Sequence, residues 1–297
     1  MVGDDAAHRH ASDAVCGFDT PWLGMIAGAG DIPLLIARQA RREDRPLPTI
    51  ALSPQIAADL APYCPILSQH GPGQLGRIIR TLRRYDVRQV VMVGKVEKRL
   101  LFQTPRLDLR ALRRLGQLPD YRDVTMMAAV ADEFAREGLQ VVEQTRLLGH
   151  LLTPEGVVGR HRPDSRAWED IGYGFAQAKQ LASMDIGQTV VVRRRTILAV
   201  EALEGTDAAI RRGCQYGRGA VVVKVNRRQQ DMRFDVPVVG PHTLAAAVDG
   251  RAGVLAVEAG TTVMLHRREL VATADANRLV LVGVTPALLQ SCRGRAL

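Results

Sequence analysis

The chain has 297 residues, 46% hydrophobic and 24% charged, an ordinary balance for a globular protein and enough bulk for two cores. No window approaches the roughly 18 uninterrupted apolar residues of a membrane span, and residues 1–20 carry acids and histidines where a signal peptide would be apolar, so a cytoplasmic protein with a disordered tail over 1–20 is expected. The formal net charge of +9 points to an anionic partner, whether nucleic acid, an anionic membrane surface or a phosphorylated substrate, while only 4% aromatic residues disfavour a reader of single-stranded nucleic acid.

In chain order, an apolar segment from Trp22 to Ala27 meets Gly28-Ala29-Gly30, and Asp31 then stands as candidate N-cap of a helix reaching Arg42, with Pro33 tolerated in its first turn. Short apolar runs at 49–52 and 66–68 follow at spacings that admit helices between them. Leu75, Ile78, Ile79 and Leu82 recur at helical spacing, and Gln89 to Val93 reads as a buried strand ending at Gly94. A further helix is expected over 123–137 and a strand over 139–143. This alternation implies a parallel, doubly wound sheet. Periodicity fades between Leu147 and Pro163, which places a linker at 153–164 between a domain over 21–152 and a second over 165–297.

The second half opens with an expected helix over 165–183, whose Trp168, Ile171, Phe175 and Ala178 form one stripe. Runs at 189–192 and 196–202 flank the arginines 193–195 in the pattern of a hairpin. A short helix after Glu204-Gly205-Thr206-Asp207, strands at 221–225, 232–239, 253–257 and 279–284, and a helix at 243–249 complete a mixed α/β unit whose order does not repeat the first.

The turn Gly28-Ala29-Gly30 exposes backbone N–H groups at a helix start and suits phosphate. Pro33 stands where a dinucleotide fingerprint needs its third glycine, and 51–54 lacks the acid expected after the second strand, which argues against a nicotinamide cofactor. Thr206 or Asp207 can cap the helix they begin; the same place, with Glu201, Glu204 and Asp207 near Arg211 and Arg212, can also seat a phosphate and a divalent cation. In 231–238, period-two alternation puts Met232, Phe234, Val236 and Val238 on one face and Asp231, Arg233 and Asp235 on the other. A surface ion pair on a half-solvated strand explains that, but Pro237 confines the strand to an edge or end, where a carboxylate can project into a cleft. The cysteines Cys16, Cys64, Cys214 and Cys292 show no Cys-x-x-Cys pair, which speaks against zinc and redox motifs.

Taken together, Gly24 through Pro33, Val93-Gly94-Lys95-Val96, Asp185-Ile186-Gly187-Gln188 through Asp207, and Lys224 through Arg233-Phe234-Asp235-Val236-Pro237 resemble, in order, the LpxI-type UDP-2,3-diacylglucosamine pyrophosphatases. The resemblance runs from about residue 22 to about residue 287. It departs at Ala29, where the family commonly has the middle of three glycines, and at Val124, where paired aspartates are frequent.

The resemblance implies a Rossmann-like N-terminal domain with a parallel sheet plus a separate mixed α/β catalytic domain. It implies Mg²⁺-dependent hydrolysis of UDP-2,3-diacylglucosamine to UMP and lipid X, in lipid A synthesis of Gram-negative bacteria. Asp235 falls on the family's catalytic aspartate, with Asp207 and Asp235 as candidate metal ligands. Gly28, Ala29, Gly30, Asp31, Gly94, Lys95, Asp123, Gln188, Glu204, Gly205, Thr206, Asp207, Lys224 and Arg233 are the expected substrate-binding positions. The enzyme is then cytoplasmic but peripheral to the inner membrane, meets its anionic leaflet and takes no nucleic acid, with a homodimer among the open oligomeric states. A pyrophosphohydrolase of another UDP-sugar, or a non-enzymatic nucleotide-sensing basic protein, are the alternatives.

Overall fold

The computed structural model describes residues 22–96, 107–120, 122–227 and 230–293, so the tail expected over 1–20 lies outside the described residues. The chain divides between His150 and Leu151 into two units.

The first unit runs β1 (Leu23–Ala27), α1 (Asp31–Arg42), β2 (Thr49–Ala51), α2 (Pro54–Leu60), β3 (Leu67–Gln69), α3 (Leu75–Arg84), β4 (Gln89–Val93), α4 (Leu109–Leu115), α5 (Asp123–Arg136), β5 (Gln140–Val142) and α6 (Thr145–Leu148). Its strands stand in the order β3-β2-β1-β4-β5, all described pairs parallel, which is the doubly wound arrangement expected from the alternation. All five residues of β1 are buried, as a strand covered by helices on both faces requires. On α3 the buried set is Leu75, Ile78, Ile79 and Leu82, one face of a helix. Asp31 is the first residue of α1 and not its cap. Gly30 takes that place at φ 113° and ψ −179°, a conformation essentially reserved for glycine.

The second unit runs β6 (Gly156–Val157), α7 (Ser165–Ser183), β7 (Thr189–Arg193), β8 (Thr196–Val200), α8 (Thr206–Gln215), β9 (Val221–Lys224), β10 (Val238–Val239), α9 (Pro241–Asp249), β11 (Val254–Glu258), β12 (Val263–Met264), α10 (Arg267–Ala276), β13 (Val280–Val284) and α11 (Pro286–Arg293). A mixed sheet has the order β6-β13-β11-β9-β7-β8, in which β13, β11 and β9 are parallel and the other pairings antiparallel. One face packs on Ile171, Phe175, Ala178 and Ala182 of α7. The other packs on Ile210 of α8, Leu244 of α9 and Leu270 of α10. The segment 153–164, read as a linker, carries β6, which pairs with β13 inside this sheet.

Residues 232–234 form a turn, not the strand that alternation suggests, and only Val238 and Val239 pair, with β12. The Asp231 carbonyl accepts from Phe234 N (3.0 Å) and Asp235 N (3.1 Å), and its carboxylate accepts from Arg233 N (3.0 Å). An aspartate bonding its own following backbone offers those amides an alternative to a β-ladder, and here it wins.

Candidate active site

In the first unit, strand order reverses between β1 and β4, the place where open α/β sheets take ligands. The loops after these strands are zipped together. Gly28 N donates to Val93 O (2.7 Å), and Ala29 and Lys95 exchange backbone bonds of 2.8 Å each way. A Cβ at Gly28 would lie 2.6 Å from the Lys95 carbonyl oxygen, and one at Gly94 (φ +85°) would lie 2.6 Å from the carbonyl carbon of Gly28. Glycine is therefore demanded by close approach at both positions, while exposed Ala29, outside the left-handed region, carries its methyl without strain. The Ala29 amide is spent on Lys95, which corrects the picture of this loop as an open row of donors.

Gly28, Ala29, Gly30 and Lys95 line a cavity of about 280 Å³ with Ser53 and Asp59. An apolar cavity of about 150 Å³, lined in part by Met92, Met126, Met127 and Phe134, shares Leu52 and Val96 with it. Asp31 is exposed on the first turn of α1. Asp123 opens α5, and its side chain lies outside what the structure describes.

In the second unit, the carboxyl end of β9 carries Lys224, only 9% exposed. Its Nζ donates to Thr206 Oγ1 (3.0 Å) in the first turn of α8, and Thr206 Oγ1 donates to Glu201 Oε1 (2.8 Å). The second oxygen of Glu201 accepts from Gln188 N (3.2 Å). The Gln188 amide, oriented to satisfy its neighbours, donates to Val225 O (3.2 Å) and accepts from Arg227 Nε (3.1 Å). Antiparallel pairing of Thr189 with Lys224 brings these distant segments together. A Cβ at Gly187 would fall 2.1 Å from the Glu201 carbonyl oxygen, so this junction tolerates only glycine.

Gly205 caps α8 at φ 81° with no side-chain bond, so neither Thr206 nor Asp207 is the cap expected from sequence. Asp207 Oδ1 instead accepts from Thr243 Oγ1 of α9 (2.8 Å). Glu204 pairs with Arg212, and its own backbone amide together with that guanidinium holds its carboxyl below the ordinary range. Arg233 is engaged by Asp231, with Nε and Nη2 at 2.9 and 2.7 Å, and the guanidinium holds the Asp231 carboxyl low. Asp235 is exposed at the end of the turn that leads to β10.

Sequence reasoning missed Lys179, Asn226, Glu258 and Thr243. Glu258 Oε2 accepts from Asn226 N (2.6 Å) and pairs with Lys179 Nζ (2.7 Å), which also donates to Asn226 O (2.9 Å). The available signal was a carboxylate ending the apolar run 254–257, at the same sheet end as Lys224. Among the described residues no group of three or more histidine, cysteine, aspartate or glutamate side chains could hold a metal ion.

The fold defines a protein of two α/β units, each with a helix opened by glycine and a lysine at or just past the carboxyl end of a parallel strand. The LpxI N-terminal domain matches residues 22–151 and the LpxI C-terminal domain residues 154–282. Over 277 residues the chain is 31% identical to a protein from Caulobacter vibrioides named UDP-2,3-diacylglucosamine pyrophosphatase LpxI, covering 89% of this chain and 98% of that relative. The chain belongs to the LpxI family.

Proposed function

We propose that the protein hydrolyses the diphosphate of UDP-2,3-diacylglucosamine, giving UMP and 2,3-diacylglucosamine 1-phosphate (lipid X), in lipid A synthesis. The observation that carries this reading is the family match across both units to a relative of that name. The buried Lys224, bonded to a hydroxyl at a helix start, supports it.

Diphosphate hydrolysis is chiefly a matter of positioning and of countering charge on the nonbridging oxygens. Lys224 neutralises a phosphate oxygen at the α8 start, with Thr206 and Glu201 holding its ammonium in place. Arg233 stays oriented by Asp231 and presents its remaining N–H groups to the same diphosphate. Asp235, solvated and acceptor-only when ionised, orients or deprotonates the attacking water. Mg²⁺ keeps several waters and is typically held by one or two carboxylates together with substrate phosphates. Asp207 and Asp235 would supply that number, and the metal would neutralise charge on the diphosphate oxygens.

The test is to incubate purified protein with UDP-2,3-diacylglucosamine and Mg²⁺, with and without chelator. UMP and lipid X should appear only with metal. Equal turnover of a soluble UDP-sugar would reassign the substrate, and no product with any divalent metal would overturn the reading.

A further inference from the structure

At the end of the second sheet opposite Lys224 stands a row of arginines. Arg278, Arg251 and Arg218 lie in the turns just before β13, β11 and β9, and Arg193, Arg194 and Arg195 form the tip of the β7–β8 hairpin. In strand order these are consecutive strands. Pairing of Val192 with Val221 brings the hairpin tip to the start of β9, and bonds from Gly219 N to Arg251 O (2.8 Å) and Val280 N to Gly253 O (3.0 Å) tie the other turns side by side. At ordinary strand spacing the row is about 20 Å long.

Four of these arginines sit where arginine is a poor choice. Arg194, Arg195, Arg251 and Arg278 have φ of 50°, 55°, 53° and 56°, the left-handed region that glycine and asparagine enter at least cost. The two-residue hairpin turn with both residues there is the type that prefers Asn-Gly. Buried Asp170 is committed to holding it, accepting from Arg194 N (2.8 Å) and Arg195 N (2.6 Å). Fold stability does not account for arginine at these positions.

Among the described residues none of the six forms an ion pair. Acids at this end besides Asp170 include Asp164, Glu169, Asp249 and Asp275; Asp164 accepts from Ala167 N (2.7 Å) as the cap of α7, and Asp275 accepts from Arg160 N (2.7 Å). Tyr216, 72% exposed, precedes Gly217, whose Cβ position lies 2.9 Å from Arg193 Cδ, so an aromatic flanks the row.

We infer that this arginine row is the surface by which the protein docks on an anionic bilayer. Arginines along one sheet end match a plane of lipid phosphates, and an adjacent tyrosine suits the headgroup region. The choice of a bilayer over other polyanions rests on the proposed diacylated substrate. The row itself does not.

The test uses the full chain and vesicles of phosphatidylcholine with or without phosphatidylglycerol. A fourfold variant, Arg194→Asn, Arg195→Gly, Arg251→Asn and Arg278→Asn, should keep or raise the melting temperature, since each new residue prefers its backbone. It should lose at least tenfold in pelleting with anionic vesicles, at roughly fivefold per arginine, while turnover of micellar substrate is unchanged. A charge-matched control, with Arg41, Arg42, Arg45 and Arg84 changed to Gln, should pellet like the parent. The inference fails if the fourfold variant pellets like the parent, if the control loses as much, or if the row governs binding to duplex DNA and not to vesicles. If vesicles are bound through the row but no diphosphate is cleaved, the docking surface stands and the proposed activity falls.

Discussion

Lys224 Nζ lies 3.0 Å from Thr206 Oγ1, joining the carboxyl end of β9 to the first turn of α8 across 18 residues of sequence. The contact gives a nearly buried cation a fixed direction, and the Thr206 hydroxyl in turn donates a hydrogen bond to Glu201.

Lys224→Met should therefore keep the fold and lower kcat/KM about 100- to 1000-fold, the usual effect of removing one preorganised charge-stabilising group. Thr206→Val should act differently, because the ammonium stays while one acceptor goes; a stability loss of about 1–3 kcal/mol is expected. Steady-state kinetics and denaturant unfolding on the two variants separate the roles. Full activity in Lys224→Met would remove this lysine from the mechanism.

Asp235→Asn changes an exposed side chain while leaving the backbone bond to Asp231 intact. The fold should be kept, with a stability change no larger than a surface ion pair is worth, about 1 kcal/mol. Turnover should fall by about 100-fold or more, since the amide can neither take a proton nor carry charge. Wild-type rates from a monodisperse Asp235→Asn preparation would exclude the residue from catalysis.

The two sheets were legible in sequence because their strands are continuous apolar runs and their helices carry one-sided stripes, as in α3 and α7. The hairpin at 193–196 was legible for the same reason. Alternation misled at 232–235, where Met232 and Phe234 mimic a strand face but the Asp231 side chain captures the local backbone. The pair β6 and β12, two residues each, offered no period to read. At the site, sequence supplied Lys224, Thr206 and Gln188 separately; the antiparallel register of β7 on β9 sets Gln188 beside Lys224, and the start of α8 brings Thr206 to its ammonium. Glu258 and its partner Lys179 stayed hidden because a charge ending an apolar run looks like an ordinary strand boundary.

The loop after β4 makes a sharper stability prediction than any polar contact. Gly94→Ala requires a positive φ and drives a methyl to within 2.8 Å of three backbone atoms, so a loss above about 2 kcal/mol is expected. Gly30→Ala meets nothing within 4 Å and bears only the backbone term, about 1–3 kcal/mol. Urea unfolding should rank Gly94→Ala below Gly30→Ala; the reverse order would contradict the zipped loop.

The Asp231–Arg233 pair carries the last prediction. Its guanidinium depresses the Asp231 carboxyl in the folded state, so the pair stabilises above the unfolded aspartate value of about 3.9 and that contribution is lost as pH falls through the lower folded value. Both side chains are about a third exposed, so the contribution is at most about 1 kcal/mol. The stability gap between parent and Asp231→Asn should thus be small at pH 7 and close toward zero under acid. Because Asp231 also aims Arg233, the same variant should raise KM more than it lowers kcat. An unchanged KM would mean that Arg233 does not need this partner to meet the substrate.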